Sequence, residues 1–234
     1  MTKTEHKPKA KVLVSYVYTD HKAYCRHLYP RSYFQLSYEP RECCYVDGRK
    51  IPALDSLPTS EQIAAVGRNY AIKQARAGDY THILFLDFDV WPQRDTIQRL
   101  LAANTDIAGG LVAARGNVYH PIAHRYSDET TLERIKLHQR DCKGTITTGG
   151  VAAACMLVTR RVFEFVDLDD YYGPETIPGR FTADDEFFCI KALTKLGVRP
   201  KLVCNVRPWH YAEDGYKYKC FEEAKKWDAN EKLS

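Results

Sequence analysis

Ile83-Leu84-Phe85-Leu86-Asp87-Phe88-Asp89 is the stretch on which the reading of this chain turns. From residue 81 onward it is an apolar run of strand length, which predicts a buried strand, and it ends in two carboxylates two positions apart. Charged side chains at the end of a buried strand are costly unless something cationic meets them. Alternation along an extended chain aims Asp87 and Asp89 the same way, where both can serve one Mg²⁺ or Mn²⁺ ion. Such an ion would neutralise a diphosphate and stabilise its departure. The competing reading is a solvated strand end followed by a turn at Pro92.

Working outward, residues 11–18 (KVLVSYVY) read as a buried first strand. Residues 20–58 are irregular, and short strands or a hairpin are expected near Cys44-Tyr45-Val46 and Lys50-Ile51, with Asp47-Gly48 as the turn. Residues 59–78 predict a helix. Thr59 and Gln62 make a capping box, Ile63, Val66 and Tyr70 share a face, and Gly78 suits the C-terminal cap. A short helix is expected over 93–103, a strand with two glycines over 107–114, and a strand over 151–158 followed by a helical turn at 160–166. Residues 116–148 are polar and resist assignment, and 169–181 read as a loop. A helix over 184–196 is closed by Gly197, a last strand spans 199–206, and the tail is expected to be helical near 221–227. This strand–helix alternation predicts an α/β fold, with a lead-in over residues 1–10 and one domain over 11–234. Its ligand should sit at the C-terminal edge of the strands.

Composition excludes several classes. The longest apolar run has eight residues, where a membrane helix needs about 20. Residues 1–11 are polar and basic, without the apolar core of a secretory signal. Net charge is +4, from 34 Lys and Arg against 30 Asp and Glu, which permits an anionic partner without demanding one. The eight cysteines include no CxxC pair, so the usual structural zinc spacing is absent. Reduced thiols and a cytoplasmic location, the host cytoplasm for a viral protein, are the expectation.

Other segments add to the acidic strand end, in order: Arg68-Asn69 on the first helix, Gly109-Gly110 on a strand leading to Arg115, and Gly149-Gly150 before a small-residue strand. Arg160-Arg161-Val162-Phe163-Glu164, Ala183-Asp184-Asp185-Glu186-Phe187-Phe188-Cys189 and Trp209-His210 complete the series. Across residues 60–211 this order resembles the GT-A glycosyltransferases, family-2-like, and especially the compact versions found in phage and other viral genomes. The acidic helix begins Asp184-Asp185 where that family usually has Glu-Asp. The 149–155 stretch lacks the family's usual glycine near its middle.

The resemblance implies a GT-A-like nucleotide-sugar-binding fold: α/β, with a mixed, mostly parallel central sheet flanked by helices. It implies a divalent metal, Mn²⁺ or Mg²⁺, held by Asp89, Asp87 and His210. Asp87 would touch the donor ribose or a metal-bound water. Arg68, supported by Asn69, would face the nucleotide, and Tyr16 and Arg115 join these as donor-binding residues. Asp185 would be the general base of an inverting transfer, with Asp184 holding a sugar or the acceptor. Ordinary helix N-terminal chemistry also suits these acids, though three exceed what capping needs.

The reaction implied is transfer of a sugar from a nucleotide-sugar, a UDP-sugar first, to an acceptor hydroxyl. By the viral resemblance, a hydroxymethylated pyrimidine in phage DNA leads as acceptor, so that DNA modification would be the role; a glycan or protein follows. Lys7, Lys9, Lys11, Arg26, Arg31, Tyr33, Phe34, Arg41, Arg49, Lys50, Lys217, Tyr218 and Lys219 supply charge and stacking surface for it. The rivals are a GT-A-related nucleotidyltransferase and a non-catalytic binding module. The first should carry a glycine-rich loop after strand one, and residues 15–20 hold no glycine.

Overall fold

In a computed structural model, the stretch that opened the reading is a central strand, His82–Leu86, with Ile83 to Leu86 all buried. The structure describes residues 9–18, 33–47, 60–126, 134–166, 184–213, 215–223 and 225–226. Seven strands form the main sheet, in the order β10 (Thr145–Thr147), β13 (Lys201–Val203), β5 (Ile107–Gly110), β12 (Cys155–Thr159), β3 (His82–Leu86), β1 (Val12–Tyr18) and β2 (Arg41–Asp47). β1, β2, β3, β5 and β13 run one way, and β10 and β12 run against them. The sheet is therefore mixed and mostly parallel.

Alternation along the strands divides the core in two. Leu13, Ile83, Phe85, Met156 and Val158 face one side, with Ile72 and Ala75 of helix α1 (Ser60–Ala77) and Phe188 and Ala192 beyond them. Val12, Val14, Leu84, Leu86 and Leu157 face the other side, where Ile97 and Leu100 of α2 (Thr96–Ala102) pack. The short α3 (Arg160–Phe163) follows β12, and α4 (Asp184–Leu196) is closed by Gly197 at φ +67°. Helices on both faces of such a sheet are the three-layer α/β solution.

Three smaller sheets build on this frame. They are β11 (Gly150–Val151), β8 (Ala123–Tyr126) and β9 (Arg134–Lys136); β16 (Lys225–Lys226), β15 (Tyr216–Tyr218), β14 (Trp209–Tyr211) and β4 (Val90–Trp91); and the pair β6 (Ala113–Ala114) and β7 (Asn117–Pro121).

Several expectations need correcting. The strand expected near Cys44 is longer and pairs in parallel with β1; Gly48, Lys50 and Ile51, which would complete the expected hairpin, lie outside the described residues. The 151–158 run is not one strand. It breaks at Ala152–Ala154, a turn in which the Cys155 N–H donates to the Ala152 carbonyl at 3.2 Å. Where a helix was expected over 221–227, the described residues form a turn at 221–222 and the short strand β16. On α1 the core-facing positions are Ala65, Arg68, Asn69, Ala71, Ile72 and Ala75, while Tyr70 is 50% exposed. Tyr70 and the half-buried Val66 marked the wrong face, and the side chain of Ile63 lies outside the described residues. Thr59, the capping-box residue, lies outside the described residues, as does the 169–181 loop.

The approach of α1 to β1 is set by Gly67, where an added Cβ would come within 2.5 Å of Val17 Cγ1. Gly67→Ala is therefore expected to lower stability by about 1–2 kcal/mol in urea unfolding, overpacking outweighing the gain in helix propensity. An unchanged urea midpoint would show that the helix can lift from β1 without cost.

Among the described residues, Cys44, Cys142, Cys155, Cys189, Cys204 and Cys220 are buried. Burial pushes the Cys155, Cys204 and Cys220 thiols up to about 12, so they stay protonated and pack as small hydrophobes. Among the described residues no helix is long and apolar enough to cross a membrane.

Candidate active site

Leu86 ends β3, and the chain then turns: the Val90 N–H donates to the Asp87 carbonyl at 3.0 Å before β4 begins. Phe88, 1% exposed, anchors this turn. Its ring meets Tyr16 nearly edge-on at 6.3 Å and Tyr45 at 5.9 Å. A turn does not alternate as a strand does. The two carboxylates leave the anchored phenylalanine toward different partners.

Asp87 goes to α1. Arg68 Nη2 donates to its Oδ1 at 2.6 Å, with Arg68 8% and Asp87 23% exposed at the side chain. The close seat of α1 on β1 at Gly67 places that guanidinium beneath the strand end, and Asn69 beside it is also buried. Arg68, expected to meet the nucleotide, is thus engaged by Asp87. Tyr16, expected at the donor, is fully buried and supports the turn from below through Phe88.

Asp89 goes to the other side and is 0% exposed. Its Oδ2 lies 3.4 Å from Arg115 Nη1, just past β6, and 3.4 Å from His210 Nε2 on β14. Short β4 makes this possible by pairing with β14, His210 opposite Val90 and Trp209 opposite Trp91. The Tyr211 N–H also donates to the Asp89 carbonyl at 2.8 Å. His210 Nδ1 is 2.8 Å from the Ala113 carbonyl. A carbonyl only accepts, so Nδ1 carries a proton and Nε2 is left facing the carboxylate. A lone pair and a carboxylate in that relation repel unless a proton or metal ion stands between them.

Among the described residues no three His, Cys, Asp or Glu side chains converge as a ready-made metal cage. A pair suits Mg²⁺ or Mn²⁺ used with phosphates, because such ions take one or two protein ligands and complete their shell with substrate oxygens and water. Asp89 and His210 fit that requirement, while Oδ1 of Asp87 is paired with Arg68.

Asp185 stands in the first turn of α4. Its Oδ2 accepts from the Ala153 N–H at 3.2 Å, and its Oδ1 from the Glu186 N–H at 2.8 Å. The Asp87 N–H donates to the Ala154 carbonyl at 3.1 Å. One alanine turn therefore links the strand end that carries Asp87 to the helix start that carries Asp185. Small residues are required there because helix and strand both close on it. The side chain of Asp184 lies outside the described residues.

Sequence reading passed over a neighbouring pair. Glu186, 2% exposed, has Oε1 3.4 Å from His124 Nε2. Gly150 faces that imidazole so closely that a Cβ would sit 2.4 Å from its Cε1. The signal was Gly149-Gly150 opening an apolar run, since an interior glycine marks close approach by another group.

The basic and aromatic residues expected to serve an acceptor do not form one surface. Lys11 and Arg41 are at the starts of β1 and β2, the edge opposite Asp89. Lys11 pairs there with Asp79 and Glu42, which raise its pKa. Lys217 and Lys219 lie over the Trp209 ring, at 5.5 and 4.9 Å from its centre. Lys7, Arg26, Arg31, Arg49 and Lys50 lie outside the described residues.

No family model and no curated protein matches the sequence. Among solved structures, TarS 1-349 from S. aureus is similar with a TM-score of 0.45 at 15% identity, over 91% of this chain and 60% of that one. A197 from STIV is similar with a TM-score of 0.55 at 12% identity, over 94% of this chain and 95% of that one. At that identity the likeness is one of fold, and the fold is GT-A-like: a mixed, mostly parallel central sheet between helices.

Proposed function

We propose that this protein is a metal-dependent glycosyltransferase that moves a sugar from a nucleotide-sugar, a UDP-sugar first, to an acceptor hydroxyl. The observation that carries the reading is the buried Asp89 carboxylate facing His210 Nε2 across 3.4 Å, with Nδ1 engaged by Ala113. Asp89 and His210 would hold Mn²⁺ or Mg²⁺, which when bound offsets the charge of the departing diphosphate. Arg115, 39% exposed at its side chain and 3.4 Å from the same carboxylate, adds positive charge on the solvent side of the pair. Asp87, held by Arg68, would touch the donor ribose.

Asp185 would take the proton of the acceptor hydroxyl as it attacks the sugar carbon from the side opposite the diphosphate, inverting that centre. Its anchoring to the Ala153 N–H fixes where the base stands relative to the strand end. Asp184, beside it at the helix start, would hold a sugar or the acceptor. A hydroxymethylated pyrimidine in DNA leads among acceptors, ahead of a glycan or protein.

Thermal unfolding with UDP and Mn²⁺ tests the donor half. Saturating ligand should raise the melting temperature by about 5–10 °C for a chain of this size, and UDP with a chelator should not. Equal stabilisation by UDP with and without metal would reject the metal-dependent reading. So would the failure of every nucleoside diphosphate to act with metal.

A further inference from the structure

Beside the last turns of α4 a cavity of about 300 Å³ opens at the β10–β13 end of the sheet. Arg125 of β8 and Arg199, just before β13, both line it and both are exposed, with Thr147, Gly149 and Leu193 completing its wall. The wall is fixed in place. The Thr148 N–H and Oγ1 both donate to the Pro200 carbonyl, at 2.9 and 3.3 Å, and the Gly149 N–H donates to His124 O at 2.8 Å. Among the described lining residues the two arginines carry charge and none is acidic. In a chain of net charge +4 that is a local concentration of positive charge. Two guanidinium forks over a polar wall match a phosphate, which each can grip with paired N–H donors.

The cleft is not placed for the donor. β13 is three strands from β3, about 14 Å at ordinary strand spacing, and on the side away from β1 and Arg68. It sits instead along the helix that begins with the proposed base. Leu193 follows Asp185 by about two turns, or ~12 Å of helix, and phosphates on one strand of a duplex recur about every 3.4 Å of axis.

We propose that the Arg125–Arg199 cleft holds a backbone phosphate of a nucleic-acid acceptor, three to four nucleotides from the one presented to Asp185. The reacting end rests on the glycosyltransferase reading; the phosphate grip does not. The test is fluorescence anisotropy of the full chain with labelled single-stranded and duplex DNA of about 20 nucleotides, at several salt concentrations. Arg125→Ala with Arg199→Ala should raise Kd about ten-fold. It should also reduce the slope of log affinity against log salt by about 0.7–0.9, the loss of one phosphate contact. Both side chains are exposed, so the circular-dichroism melt should not change.

Binding that is absent, or unaffected by the double substitution, overturns the proposal. Heparin bound as tightly as DNA, with the same dependence on both arginines, overturns the nucleic-acid assignment. Stabilisation by UDP with Mn²⁺ is read in parallel on both proteins. If it is missing while arginine-dependent DNA binding is present, the cleft stands and the glycosyltransferase reading falls. If it is present and DNA binding does not depend on the arginines, the cleft assignment falls alone.

Discussion

Asp89→Asn is expected to remove the stabilisation that UDP gives with Mn²⁺ and to reduce transfer by about 10³-fold, while the metal-free protein melts no lower than the wild type. The carboxylate is 0% exposed, with Arg115 and His210 each 3.4 Å away. Taking that charge out of water carries a large penalty, and pairs at such separation repay it poorly. Asparagine keeps the shape, removes the charge, and lets His210 Nε2 face an amide. Stability in the absence of metal should thus hold or rise while the binding function is lost, the trade expected where a site is organised for an ion. Thermal scans with chelator and with Mn²⁺, beside initial rates, read both quantities. Wild-type rates from Asp89→Asn without added divalent ion would remove Asp89 from the site.

Asp185→Asn is expected to lower turnover by about 10²–10⁴-fold and leave the UDP–Mn²⁺ melting shift intact. The amide oxygen can still accept from the Ala153 N–H, so the alanine turn and the helix start keep their places. What disappears is the capacity to take a proton. The split is diagnostic, because a residue that only held α4 in position would change stability and donor binding together. Near-normal turnover would move the base elsewhere or point to a retaining route. Weaker donor binding at unchanged turnover would make Asp185 a positioning group.

The frame was legible because β1, β3 and α4 are long runs whose apolar pattern is set by burial on one or both faces. The joints were not. The 151–158 run reads as unbroken because alanines in a tight turn are as apolar as a strand. Yet that turn is the link between Asp87 and Asp185. On α1 the small residues that let the helix approach carry no periodic signal, so Tyr70 and Val66 suggested the wrong face. The pairing of Asp89 with His210 came from resemblance, not pattern, since nothing local to either residue announces a two-residue β4 beneath a distant β14. His124 and Glu186 stayed hidden for the same reason. Local sequence reports on burial, whereas encounter between remote segments depends on the completed packing.

The union of β4 with β14 also bears on the order in which the molecule is made. Asp89 leaves the ribosome with most of the middle strands still to come, and His210 follows about half the chain later. Until then the Asp89 carboxylate has no imidazole opposite it, and the nascent turn has no strand to pair with. Contacts so far apart in sequence form late, after shorter loops have closed. The nascent chain can therefore build its sheet around β1 and β3 before it has an ion-binding pair at all. Competence for the proposed ion would arrive late in assembly, and an ion captured then would secure the docking of β14 by mass action.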